Sequence, residues 1–361
     1  MDAPLLLTRD PLLLDEVARL AAAAGARPHA TDDVAGALRA WSTAPVVLVG
    51  VDLAPQLARL GPDRRGQVHV VALDDVGPAG LRTALELGAE SVLPVGAAPG
   101  RLTEVLTDLG EGRASPGRTI AVVGGSGGAG ATTVACALGQ VAAAAGTSLV
   151  VDLDPLGPGA DRVLGLERAA GVRWGSVAET TGRLSSRALR EALPRRAGLG
   201  VLGWAAGRAE SLDPGAVREV VSAARRGHDT VVVDLPRVLD ATTGEVRARS
   251  DLVVVVVSAT VPGVTAAARL CDRLAAEAGG GGAPGEAGGV ALVVRGRALT
   301  ASEVTRATGL PVLAVVPEVR RLREWCDLGL GPVHGRRSPL SRPMGEVLGA
   351  VPAPVRTRAA A

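Results

Sequence analysis

The chain has 361 residues and a formal charge of +2, and it contains no Lys, Phe or Tyr, so its 39 basic residues are all Arg. That length accommodates two or three domains with sizeable cores, and the near-neutral balance does not point to nucleic acid. Cys136, Cys271 and Cys326 are far apart with no pairing pattern, which suits a reducing cytosol, and no apolar run approaches the ~20 residues that span a bilayer.

Without Phe and Tyr, the core is expected to be built from Leu, Val and Ala. Residues 1–109 read as alternating strands and helices. Leu5 to Leu7 is a short strand, and Asp10-Pro11 is a helix start, with Asp as cap and Pro at the first helical position. That start, so close to Met1, leaves no room for a leader, and a cytoplasmic protein is expected. Leu12, Leu13, Val17, Leu20 and Ala21 follow at helical spacing. Val46 to Val49 and Val68 to Leu73 are continuous apolar runs of the buried parallel-strand kind. Ala79 to Leu87 is helical and stopped by Gly88. Ser91 to Leu93 is a last strand before a helix at Leu102 to Leu109. Residues 110–118 have linker composition.

A second stretch begins at an apolar strand, Thr119 to Val123. It runs through Gly124, Gly125, Ser126, Gly127, Gly128, Ala129, Gly130 and Ala131 into Thr132-Thr133 and an Ala-rich helix, Val134 to Ala145. This satisfies the phosphate-loop spacing G-x-x-x-x-G-K-[ST] at Gly125, Gly130 and Thr132, with Ala131 in the lysine position. Backbone amides of Gly127 to Thr132 form an anion nest at a helix start. Ser148 to Asp154 is a strand ending in Asp152 and Asp154, expected on one face. Thr230 to Asp234 is another strand ending in a carboxylate. Leu252 to Val257, Gly289 to Val294 and Pro311 to Val316 complete a parallel set whose carboxyl ends share a crevice. Gly279 to Gly289 is expected to be a surface loop inside this domain. Residues 333–361, rich in Arg and Pro, are expected to be a flexible tail.

The first domain resembles a CheY-like response-regulator receiver, down to Gly88-Ala89-Glu90 before its final strand. Its chemistry is missing. Gly50 or Val51 stands where the phosphoacceptor Asp is expected, with Asp52 slightly late. Ala72 or Leu73 replaces the hydroxyl, and Val95 the lysine. The resemblance therefore implies a pseudo-receiver that docks or dimerises. Residues 119–332 resemble the MinD/ParA class of P-loop ATPases, and the expected fold is α/β, a flavodoxin-like domain followed by a mostly parallel P-loop domain. That resemblance implies ATP or ADP with Mg²⁺ as cofactor. It assigns Asp152 and Asp154 to catalysis, the second positioning the attacking water. It gives Thr132 and Asp234 to the metal, Gly125 to Thr133 to phosphate, and Pro317 to the adenine side. Both lysines of that class are replaced, by Ser126 and Ala131, and Arg295 stands where an adenine-reading Asn is usual.

Gly182 to Pro194 with Trp204, and Val294 through Pro311, further resemble the CpaE-like, septum site-determining group. This implies a regulatory protein that places division machinery or a Tad/Flp pilus secretion apparatus by docking onto protein partners. Two other readings stay open: an ATPase switch that dimerises on ATP, and a ParA-like non-specific DNA binder using Arg187, Arg190, Arg195, Arg196, Arg320, Arg321 and Arg323. Solvated helix faces explain these arginines more simply. Gly345 to Val351 lacks a basic amphipathic helix, which argues against direct membrane binding and leaves recruitment to the inner membrane face to partners. A missing lysine costs roughly 1.5–3 kcal/mol of phosphate binding. Hydrolysis suffers more, because charge builds on the transferred phosphoryl. Arg237 or Arg295 could replace that charge.

Overall fold

A computed structural model describes residues 3–110, 116–178, 184–205, 211–278, 289–335 and 338–351. They fall into two compact units, divided between residues 114 and 115.

The first unit alternates strand and helix throughout: β1 (Leu5–Leu7), α1 (Pro11–Ala23), β2 (His29–Thr31), α2 (Val34–Trp41), β3 (Val47–Gly50), α3 (Ala54–Arg59). It continues with β4 (Val68–Ala72), α4 (Pro78–Glu86), β5 (Ser91–Pro94) and α5 (Pro99–Gly110). The sheet is parallel, in the order β2-β1-β3-β4-β5, one of the two common doubly wound arrangements. Asp10 caps α1 by accepting from the amides of Leu12 and Leu13 at 2.9 and 3.3 Å. Alternation along the strands sends Leu5, Leu7, Val47 and Val49 to one face, Leu6 and Leu48 to the other. Leu12, expected in the helical stripe of α1, is exposed instead. The elements β2, α2 and α3 have weak sequence patterns because β2 is exposed on both faces and the helices are short.

In the second unit β6 (Arg118–Gly124), α6 (Ala131–Ala143) and β7 (Ser148–Asp152) carry the glycine loop and the first carboxylates. Then come α7 (Ala160–Val163), α8 (Trp174–Ala178), α9 (Ser186–Ala192), β8 (Arg195–Arg196) and β9 (Leu199–Leu202). Next are α10 (Pro214–Gly227), β10 (Thr230–Leu235), α11 (Ala241–Arg247), β11 (Leu252–Ser258) and α12 (Val261–Ala278). The unit ends with β12 (Gly289–Arg295), α13 (Ala301–Thr308), β13 (Val312–Val316), α14 (Leu322–Asp327) and α15 (Ser341–Gly349). The sheet order is β13-β12-β11-β6-β10-β7-β9-β8, parallel except for β8 against β9. Ala121 and Val123 face one core, Ile120 and Val122 the other, and β11 alternates likewise. The core is Val, Leu and Ala as composition requires, but Trp174 is its largest fully buried side chain and Trp41 is buried in the first unit.

The C-terminal segment overturns an expectation. Residues 338–351 are not a flexible tail, because α15 packs on α6 and β13 with Met344, Val347 and Leu348 buried. Leu340, Met344, Val347, Leu348 and Val351 recur at helical spacing, a stripe masked by the neighbouring Arg and Pro. Arg118 ties it down by donating from Nη1 to the carbonyls of Leu348 and Val351 at 2.7 and 3.1 Å. The expected surface loop before Gly289 and the middle of the expected linker lie outside the described residues, as do Gly182 and Arg183.

Candidate functional site

The loop between β6 and α6 stands at the centre of the sheet, where β6 is flanked by β11 and β10. Its glycines serve different ends. A Cβ on Gly125 would lie 2.7 Å from Ala267 Cβ, so close packing against α12 requires Gly there. Gly128 and Gly130 hold φ of 71° and 97°, the left-handed region that turns the chain into the helix. Nothing lies within 4 Å of a Cβ built on Gly127 or Gly128. Among the described residues the amides of Gly127, Gly128, Gly130 and Ala131 have no backbone acceptor. Together with the helix start they form a partly exposed concave row of donors. Ala129 is buried, while Ser126 and Thr132 to Thr133 are half-buried.

The carboxylates sort by burial. Asp152 and Asp234 stand opposite each other in register on β7 and β10. Both are 1 % exposed. The expectation that Asp152 and Asp154 leave one strand face is corrected: β7 ends at Asp152, and Asp154 sits half-buried in the following turn. The reason is that Asp152 folds the chain back onto itself, accepting from the amides of Asp154 at 3.0 Å and Ala160 at 2.8 Å. Asp154 in turn accepts from the Leu156 amide at 3.1 Å. Burial raises the Asp152 carboxyl to about 6, against those two amide bonds.

Asp234 differs. Its Oδ2 is buried with no hydrogen-bond partner. Burial, reinforced by Asp152, raises it to about 8, and a hydrogen bond from the Thr132 hydroxyl pulls the other way. An orphaned acid beside a threonine and under a row of amides suits a hard cation bridging to phosphate. Magnesium needs only one or two protein ligands beside phosphate oxygens. No cluster of three or more His, Cys, Asp or Glu able to hold a metal occurs among the described residues.

Two features went unnoticed in the sequence. Trp174 donates from Nε1 to the Asp152 carbonyl at 2.7 Å. Beneath it, Arg173 and Asp161 make an ion pair at 3.4 Å, at 13 % and 9 % exposure. The Trp174 bond braces the Asp152 turn, and a Trp in an aromatic-poor chain is the available signal. Pro317 follows β13 and lines a groove of about 430 Å³ with Arg297, Arg342 and Glu346. Arg187, Arg321 and Arg323 pair with Glu191, Glu324 and Asp327 on their own helices. Arg196 donates to the carbonyls of Gly329 and Gly165. Among the described residues no helix is long and apolar enough to cross a membrane.

In the first unit, the corresponding crevice is filled. Asp52 accepts from the Thr8 hydroxyl at 2.9 Å and from the Arg9 amide at 2.7 Å. A Cβ at Gly50 would fall 2.2 Å from Asp52 Oδ1 and 2.7 Å from Thr8 Oγ1.

Known proteins share the fold of both units. Residues 7–117 match the family described as "Rv3660c-like, CheY-like N-terminal domain". The Mycobacterium tuberculosis protein described as "Uncharacterized protein Rv3660c" is 38% identical over 350 residues, covering 95% of this chain and 96% of that one. Among solved structures, a ParA family ATPase from Chlorobium tepidum is 17% identical with a TM-score of 0.56, covering 65% of this chain and 98% of its own. The septum site-determining protein MinD from Pyrococcus horikoshii, complexed with Mg-ADP, is 20% identical with a TM-score of 0.50, covering 64% and 93%. These likenesses establish a CheY-like unit followed by a unit with the MinD/ParA fold.

Proposed function

The chain belongs to the Rv3660c-like family, and from that premise we propose that it is a regulatory nucleotide-binding protein. Its second unit holds ATP or ADP with Mg²⁺, and its first unit docks protein partners. One observation carries this reading: an open row of unpaired loop amides stands over a buried acid, Asp234, whose Oδ2 has no partner. The amides of Gly127, Gly128, Gly130 and Ala131 would seat phosphate oxygens. The Thr132 hydroxyl and Asp234 hold the metal, directly or through water. Bound Mg²⁺ supplies charge neutralisation between adjacent phosphates.

Hydrolysis is slow in this arrangement. Asp154, half-buried in its turn, orients a water, while Asp152 keeps the turn in shape. No lysine stands at Ser126 or Ala131 to neutralise the charge that develops on the transferred group. Recognition therefore outlasts catalysis. The filled crevice of the CheY-like unit supports a docking role, since a phosphoacceptor side chain at Gly50 would collide with Asp52 and Thr8. The likeness to a septum site-determining protein supports placement of division machinery, with a Tad/Flp secretion apparatus as the other process of that kind.

A second reading, an ATP-driven homodimer, draws on one observation. Leu156, Val238 and Val261 are 89%, 59% and 69% exposed, and each follows the carboxyl end of a strand around the loop. Titration of the purified protein with fluorescent ADP and ATP, with and without Mg²⁺, tests the first reading; no saturable binding sinks it. Light scattering across the same titration tests the second, and an unchanged mass with ATP rejects it.

A further inference from the structure

The charge missing from the loop has a neighbour able to supply it. Arg295 ends β12, and its side chain leans back across the sheet edge onto the loop. A Cβ built on Gly130 would meet Arg295 Nη1 at 2.9 Å and Cδ at 3.7 Å. The same side chain borders a small, largely apolar cavity of about 20 Å³ between the start of α6, at Gly130, Thr133 and Val134, and the C-terminal packing of Val316, Leu340 and Met344. Arg295 is exposed, and among the described residues nothing pairs with its guanidinium. Arg237, the other arginine considered, is exposed beyond β10 and is not among the atoms nearest any loop glycine. The site is more than a helix start, because Asp234 lies buried behind it with Oδ2 unpartnered.

We propose that Arg295 is the cation of this phosphate site, reaching in from β12 to engage a nucleoside di- or triphosphate seated on the loop amides. The proposal rests on the nucleotide-binding reading above and assigns the residue that supplies to the bound phosphates a fixed positive charge the loop itself lacks. A guanidinium suits the task, since its planar fork makes two parallel bonds to phosphate oxygens and it cannot deprotonate. Its position also defines which phosphates it serves. Arg295 lies against Gly130, in a loop of the kind whose backbone amides cradle the α- and β-phosphates. ADP and ATP therefore depend on it equally.

The test is titration of the full-length protein with fluorescent ADP and ATP in Mg²⁺. Wild type, Arg295→Ala, Arg295→Lys and the control Arg297→Ala are compared, each first shown to melt like wild type. Loss of charge-assisted phosphate bonds weakens Arg295→Ala about ten- to hundredfold for both nucleotides. Arg295→Lys retains binding within about tenfold, Arg297→Ala matches wild type, and Ala131→Lys added to Arg295→Ala restores affinity. Arg295→Ala binding within about twofold of wild type overturns the proposal while leaving nucleotide binding intact. A loss confined to ATP overturns the assignment to the α- and β-phosphates. Wild type failing to bind either nucleotide removes the proposal together with the reading beneath it.

Discussion

Each unit brings its strand ends to a crevice at a switch point of a parallel sheet, where open α/β folds bind ligands. The first unit fills that space with its own side chains: Asp52 spans from the end of β3 to Thr8 and Arg9, and Gly50 has no room for a Cβ. The second lines it with unpaired amides and an orphaned acid. The same architecture is thus closed by one turn sequence and held open by another. Chemistry at a switch point is decided by a few loop residues, and the sheet only presents them.

The largest effect expected from this contrast is electrostatic. The folded pKa of Asp234, about 8, lies above the unfolded carboxylate value, so the folded chain keeps a proton the unfolded chain has lost. Its contribution is therefore fully present below about pH 4 and is lost as pH rises through about 8. From about pH 5 to about pH 9 the second unit should lose on the order of a few kcal/mol, and Asp234→Asn should remove most of that slope. Denaturant melts at both pH values measure it; equal slopes for the two proteins would falsify the account of a strained, metal-ready acid.

Steric closure comes next. Gly50→Asp, which restores a carboxylate to the receiver position, should destabilise the first unit by about 1–3 kcal/mol through overpacking. It should also gain no label from a small-molecule phosphoryl donor. A stable variant that becomes labelled would mean the crevice is open after all. Gly125→Ala should cost the second unit a similar amount, roughly 1–3 kcal/mol, because Ala267 occupies the space.

Smaller effects sharpen the contrast. Asp52→Ala removes two hydrogen bonds on an exposed turn and should cost about 1 kcal/mol. Gly127→Ala faces open space and should stay within about 0.5 kcal/mol of wild type. If Gly127→Ala unfolds the second unit as Gly125→Ala does, the loop is packed throughout and is no cradle.

Much of this was legible in residue order. The Asp10-Pro11 helix start, the buried strands and the loop spacing of Gly125, Gly130 and Thr132 are local patterns, and local patterns survive in one dimension. Misreadings arose where distant packing overrode composition. The stripe from Leu340 to Val351 looked like an Arg- and Pro-rich tail until α6 and β13 offered it an apolar surface. Asp152 and Asp154 read as neighbours on one strand face, but the chain turns after Asp152, whose carboxylate accepts from the Ala160 amide and is buried.

The amino-acid order by itself determined two alternating α/β units, a glycine loop without its lysine, and a receiver without its acceptor. These follow from periodicity and turn chemistry, which act over a few residues. Only the tertiary structure decided that Asp52 locks the first crevice, that Asp234 keeps an oxygen without a partner, and that Arg295 reaches the loop from another strand. Those outcomes depend on which strands become neighbours, and pairing of β6 with β10 and β11, between residues more than a hundred positions apart, is set by the packed sheet.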